Sequence, residues 1–405
     1  MKSTIFNRPW RATESGCSSF PASRIACAVA VLLLATLSLS AGVRNGVLVE
    51  SLCGGGLPDT NGHFYGYVEG DPMSGIDAKF STPIGLALDS SGDYLFVADA
   101  TNNAIRVVEL ASSPSPANHS YFTYTFAPVP DFTPPGLISR PVGVALDADD
   151  NVYVLNRGNG RNGMVVEFDY YGYILATNAV GLTNANAIAL DSAANIYVTA
   201  SNYLFKITQA GVKSTVATVT NPGACLQGVV VMDSGMIAAC DSGRHGILMI
   251  NPTNGAITNL TGFNGSGDNT NIWQTTPNYP VSKTIAKFNQ PYGLAKAGNN
   301  MLIVADYGNN RVKVVDSVGT VTNLYGISSN LWFTGPGSFP GWWDDYVVVP
   351  DARGDVEARL PAGVVFGPDQ TVYVTEDYYH LIRKVTGTTL PPVPPPPPPP
   401  PAAQI

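Results

Sequence analysis

Pro83-Ile-Gly-Leu-Ala-Leu-Asp89, then Tyr94-Leu-Phe-Val-Ala-Asp99, then Asn102-Asn-Ala-Ile-Arg-Val-Val108: this stretch decides the fold. Its apolar runs are too short for helices, and their Val, Ile and Tyr content with flanking Gly, Asn and Asp turns makes them strands. The unit recurs five more times. Its copies fall at 141–147, 152–155 and 164–168; at 187–191, 196–199 and 204–207; and at 228–232, 236–241 and 246–250. The last two fall at 291–295, 301–306 and 310–315, and at 361–366, 372–377 and 380–385. A fourth apolar run follows most copies, as at 212–219, 256–260 and 320–325. The third run alternates, with Ile105 and Val107 flanking Arg106 and with Val312 and Val314 flanking Lys313, as a strand covered on one face does. Four antiparallel strands repeated six times predict an all-β, six-bladed β-propeller. The reference glycines Gly85, Gly143, Gly228, Gly293 and Gly363, with Ala187 standing in once, are spaced by 58, 44, 41, 65 and 70 residues. Small residues there suit inner strands that crowd the central axis.

These residues resemble the NHL repeat family: a P-x-G-[VL]-A-[VL]-D strand, an [IL]-[YF]-V-[AT]-[DE] strand and an N-[NHR]-[RV]-[IV] third strand. The resemblance covers about residues 43–386; copies 1, 5 and 6 match well, and copies 3 and 4 have drifted. It implies the propeller and says almost nothing of function. The sixth copy has no fourth strand before the proline run, whereas 46–52 has strand character. That segment is expected to complete the last blade beside 380–386, closing two open edges.

Three links between blades are long, at about 53–82, 262–290 and 326–360. They are consecutive around the ring and should cover half of one face. Loops of this length in a compact domain are usually functional or disordered. They hold Trp273, Trp332, Trp342 and Trp343, with Phe64, Tyr65, Tyr67, Tyr279, Phe333, Phe339 and Tyr346. Aromatic rings on a concave face suit sugar or peptide stacking; the rings can equally be the links' own packing. Tyr307 and Tyr378 join the four tryptophans as candidate ligand-binding residues. Each link ends on a shared pattern, Ala78-Lys-Phe80, Ala286-Lys-Phe288 and Ala358-Arg-Leu360, which points to a structural duty.

Asp99, Asn156, Asp241, Asp306 and Asp377 end the second strands and should face one mouth of the channel. Converging oxygens there could hold calcium, or each side chain could bond its own turn. His63, His245 and His380 map to the same face and His119 to the other. Three histidines could bind zinc, as in the peptidyl-hydroxyglycine amidating lyases that share this fold, but His245 and His380 also occupy the repeat's third-strand start. Asp147-Ala-Asp-Asp-Asn151 opens like a calcium loop but lacks its glycine and glutamate, and reads as a hairpin turn. There is no Gly-x-Ser-x-Gly, phosphate loop or His-Glu-x-x-His. Asn118, Asn259 and Asn264 begin glycosylation sequons.

The ends differ from the middle. Lys2, Arg8, Arg11 and Arg24, with one acid, precede an apolar run over 25–39 and the small residues Ser40, Ala41 and Gly42. Residues 1–41 are expected to be a secretory signal; the alternative is an uncleaved single-pass anchor. Ten of the eleven residues from 391 to 401 are proline, a stiff polyproline II rod that serves as a spacer or as a docking site for a proline-reading domain. The propeller is assigned 42–389 and the tail 390–405. Of the 405 residues only 13% are charged, and removing 1–41 takes the net charge from −8 to −11, a poor match for nucleic acid. Cys225 and Cys240 fall near matching ends of adjacent strands and could form a disulfide, leaving Cys53 over.

The expectation is a secreted, extracellular or periplasmic propeller that binds a protein, peptide or glycan through its loop-rich face, with no cofactor and no membrane contact unless the leader is retained. The alternative is a calcium- or zinc-dependent lyase or lactonase using Asp99, Asp241, His245, Asp306, Asp377 and His380. A third reading is a structural repeat with an empty channel.

Overall fold

The computed structural model describes residues 48–54, 66–69, 78–111, 121–128, 133–158, 160, 162–268, 280–326, 358–388 and 390. The chain divides into Met1–Ser40 and Ala41–Ile405, and every described residue lies in the second unit.

Six four-stranded antiparallel sheets form the ring. Blade 1 holds β2 (Pro83–Leu88), β3 (Tyr94–Asp99), β4 (Ala104–Glu109) and β5 (Thr123–Ala127). Blade 2 holds β6 (Pro141–Leu146), β7 (Val152–Asn156), β8 (Gly163–Phe168) and β9 (Ile174–Leu182). Blade 3 holds β10 (Ala185–Leu190), β11 (Ile196–Ala200), β12 (Tyr203–Ile207) and β13 (Lys213–Thr218). Blade 4 holds β14 (Leu226–Val231), β15 (Ile237–Asp241), β16 (Gly246–Ile250) and β17 (Ile257–Gly262). Blade 5 holds β18 (Pro291–Ala297), β19 (Met301–Asp306), β20 (Arg311–Val315) and β21 (Val321–Tyr325). Blade 6 holds β22 (Pro361–Phe366), β23 (Val372–Glu376) and β24 (Leu381–Thr386), and β1 (Leu48–Gly54) fills its outer edge as expected, pairing Val49 with Val385 and Gly54 with Leu381. Among the described residues no helix is long and apolar enough to cross a membrane.

The inner glycines have a steric reason. A Cβ on Gly85 would stand 2.7 Å from the Gly143 Cα, and one on Gly363 would strike the Ile84 carbonyl. Neighbouring inner strands therefore touch backbone to backbone, around a cavity of about 70 Å³ whose lining includes Ile84, Val142, Asn186, Tyr292 and Ala362. Between blades the packing is apolar. Blades 1 and 2 join through Phe96, Phe126 and Phe168, whose rings meet edge to face at 5.3 and 5.8 Å. The Asp147–Asn151 stretch is a hairpin turn in which Asp147 Oδ1 accepts N–H bonds from Asp149 and Asn151.

The alternating third strand is not half-solvated. Arg106 and Lys313 are fully buried and Arg383 nearly so. In blades 1 and 5 the ends of the long links lie over them. Arg106 donates to the Val68 and Lys79 carbonyls, between the rings of Tyr67 and Phe80, and Lys313 donates to the Lys287 carbonyl beside Phe288. The shared Ala-x-Phe/Leu pattern is part of this cover: Ala78, Phe80, Ala286, Phe288 and Ala358 are buried.

Candidate functional site

The acids ending the second strands are held by their own blades. Asp99 Oδ1 accepts the Ser81 N–H at 2.7 Å, and its Oδ2 accepts from Asn102 at 2.8 Å and lies 3.5 Å from Arg106. Burial pushes this carboxyl up to about 6, with the Ser81 amide, Asn102 and Arg106 opposing. Asp306 repeats the arrangement with the Asn289 N–H, Asn309 and Lys313 Nζ at 2.6 Å, and Asp241 uses the Cys225 N–H and Arg244. Burial raises both carboxyls, against these partners. Asn156 does the same work without charge, accepting from the Ser139 N–H and donating to the Leu137 carbonyl. In blade 6 the register corrects the expectation by one residue. Glu376, not Asp377, stands opposite Pro361 as Asp99 stands opposite Pro83, and Glu376 pairs with Arg383 at 3.3 Å.

The two described histidines tie blades together. Both sit in the left-handed region, with φ of 59° at His245 and 54° at His380. His245 Nδ1 accepts the Gln290 N–H at 3.1 Å, and His380 Nδ1 accepts the Thr82 N–H at 3.0 Å, each from the next blade. Asn103 and Asn310 do this between blades 1 and 2 and blades 5 and 6, accepting from Arg140 and Leu360. Burial lowers the His380 pKa below the usual imidazole value, with Asp377 opposing. Asp99, Asp241 and Asp306 remain in separate turns, and among the described residues no three His, Cys, Asp or Glu side chains gather as a metal site.

The expected Cys225–Cys240 disulfide is not formed; among the described residues none of Cys53, Cys225 and Cys240 is disulfide-bonded. The strand register separates the pair, because Leu226 lies opposite Asp241 and places Cys225 beyond the end of β15. Cys240 is buried against the Gly293 carbonyl, and burial raises its thiol pKa; Cys225 Sγ instead accepts from Gln227 Nε2 at 3.5 Å.

A different set of side chains does converge. The residue before each reference position is Ile84, Val142, Asn186, Gln227, Tyr292 or Ala362. Polar groups thus occupy blades 3–5 and apolar ones blades 6, 1 and 2. Around this ring, Arg157 Nη2 donates to Asn186 Oδ1 at 2.7 Å, and Asn186 Nδ2 donates to the Leu226 carbonyl at 2.6 Å. Tyr307 donates its hydroxyl to Asp377 Oδ2 at 3.1 Å and lies 5.6 Å, ring to ring, from Tyr292. Tyr292 feels burial first, then Arg157, Asp377, Cys225 and Arg140, and burial raises its pKa. The Tyr307 pKa rises through burial and then through Asp377. Gln227 is 9% exposed, and its Oε1 has no protein donor.

Of the candidate aromatics, Tyr307 belongs to this mouth. Tyr378 is 62% exposed, edge to face with Tyr379 at 5.1 Å and 5.9 Å from the Arg359 guanidinium. Trp273, Trp332, Trp342 and Trp343 lie outside the described residues, as do His63, the signal and the proline run. Sequence reading missed Arg157, Asn186, Gln227 and Tyr292. For Asn186, Gln227 and Tyr292 the signal was present in the residue before the reference glycine or alanine, where three blades substitute polar or phenolic side chains; Arg157 carried no such mark.

No protein-family model matches the chain, and no curated protein does. Solved structures do. An auxiliary nutrient-binding protein from Bacteroides thetaiotaomicron superposes with a TM-score of 0.61 at 15% identity, over 84% of this chain and 76% of that one. Another from Bacteroides ovatus gives 0.58 at 14% identity, over 85% and 77%. A proposed gluconolactonase gives 0.52 at 10% identity, over 88% and 97%. At these identities the likeness is one of fold.

Proposed function

We propose that this chain is an exported NHL-type propeller that binds a protein, peptide or glycan, without chemistry, through the face carrying its long links. The observation that carries this reading is the convergence of Arg157, Asn186, Gln227, Tyr292 and Asp377, from five blades, on one channel mouth. The tryptophan-bearing links would extend that contact surface, and the proline run would hold the propeller away from whatever anchors it. Two solved neighbours named as nutrient-binding proteins share the fold with such a role. A lyase or lactonase would recruit Asp99, Asp241, Asp306, Asp377, His245 and His380 to an ion. Each already bonds its own turn or a neighbouring blade, so recruitment would first break those bonds.

The test joins metal analysis and melting with a binding screen on residues 42–390. Binding of a glycan or peptide that is lost in Trp342→Ala/Trp343→Ala, with a melt unchanged by chelator, is the expected result. Stoichiometric tightly bound calcium or zinc, with a lower Tm after chelation, would replace the binding reading by the enzyme one.

A further inference from the structure

The mouth is electrically and chemically divided. On the blade 2 side stands the Arg157 guanidinium, and its bond to Asn186 occupies one of five N–H groups. On the blade 6 side stands Asp377, with one oxygen taken by the Tyr307 hydroxyl. Between them in blade 5 is Tyr292, close enough to feel both charges, with Tyr307 beside it. The shielded Gln227 oxygen is an acceptor with no donor, a costly state that a ligand N–H would relieve. The same ring is completed by the apolar Ile84, Val142 and Ala362 of blades 1, 2 and 6.

Resting on the binding role proposed above, we infer that this mouth takes a small zwitterion with an aliphatic body, of the kind a free amino acid or the end of a short peptide presents. Its carboxylate lies against Arg157. Its ammonium lies among Asp377, Gln227 Oε1 and the faces of the two tyrosines, which attract a cation. Its aliphatic part rests on the apolar half of the ring. A ligand with one charge leaves the opposite group unmatched, and a neutral sugar leaves both. Charge-assisted hydrogen bonds are the stronger ones, so the pair of charges dominates selection.

The experiment is titration calorimetry of the full chain with three probes of similar shape: L-leucine, isocaproate, which lacks the ammonium, and isoamylamine, which lacks the carboxylate. Leucine is expected to bind at least about tenfold tighter than either analogue. Arg157→Gln should weaken leucine and isocaproate about tenfold and leave isoamylamine unchanged; Asp377→Asn should weaken leucine and isoamylamine and leave isocaproate unchanged. Equal affinity for the three probes, or no heat from leucine at millimolar concentration, overturns the inference, and the wild-type comparison needs no variant to fold. If leucine fails while a peptide or glycan still binds through the tryptophan links, the zwitterion falls and the binding role stands.

Discussion

At the scale of single residues, the repeats show which side chains belong together. Asp99, Asp306 and Glu376 each face a buried basic residue one strand out, at Arg106, Lys313 and Arg383. Blade 2 replaces the acid by Asn156 and the base by Val166, and blade 3 has Ala200 and Phe205. In blade 4 Leu248 takes the base position, and the buried Asp241 pairs instead with the part-exposed Arg244 of its own turn; a buried acid is thus kept where a cation reaches it, because alone it is an uncompensated charge. Asp99→Ala should therefore cost about 3–5 kcal/mol, read from the shift of the urea midpoint. Asp99→Asn with Arg106→Val, which copies blade 2, should cost clearly less than the two single changes added together. The histidine latch predicts a pH effect. The folded His380 pKa lies below 6.5, so its neutral form is favoured in the native state. Its contribution to stability is complete above pH 6.5 and is lost as pH falls through the lowered folded pKa. Asn103 and Asn310 make the same bond without titrating, and asparagine accepts the left-handed backbone. His380→Asn should flatten that part of the stability profile, measured as urea midpoints between about pH 8 and pH 5; an unchanged slope would refute the latch.

At the scale of elements, two devices set the geometry. One is the backbone contact of inner strands. Gly85→Ala would push a methyl group into blade 2 and should destabilise by about 1–3 kcal/mol, seen as a lower Tm. The other is the docked end of each long link. Phe80 and Phe288 are fully buried, and each lies against a buried cation, Arg106 at 5.4 Å and Lys313 at 4.9 Å. Phe288→Ala should cost about 3–5 kcal/mol. Because the ring also shields Lys313, hydrogen exchange in β20 should accelerate more than in β16 of the neighbouring blade. These elements fix the ends of the links to the blades.

At the scale of the whole molecule, closure by β1 makes the ring a single cooperative object. Leu52 is buried against blade 1 residues Leu95, Val97 and Val108 as well as Ile382, so β1 seals a blade and an interface together. A chain lacking residues 1–54 leaves the outer edge of β24 unpaired. It should unfold at lower temperature and self-associate, and light scattering with amide exchange over 381–386 would show both. A monomer with the wild-type melt would mean that the closing strand is dispensable.

The number of blades, the inner three strands of each blade to within two residues, the closing N-terminal strand and the reason for the inner glycines follow from the sequence alone. Each depends on local periodicity repeated along the chain, and a repeat reports itself six times. The polar mouth does not, because Arg157, Asn186, Gln227, Tyr292 and Asp377 come from five copies, and nothing local marks them as neighbours. The same holds for the pairing of Pro361 with Glu376, which moved the blade 6 acid by one position: register is fixed by cross-strand hydrogen bonds, not by the residue that looks most like its counterparts. It holds too for Arg106 and Lys313. Their alternation is that of solvent-facing side chains, and the folded link, whose carbonyls accept from them, together with the Asp99 and Asp306 carboxylates makes their burial tolerable.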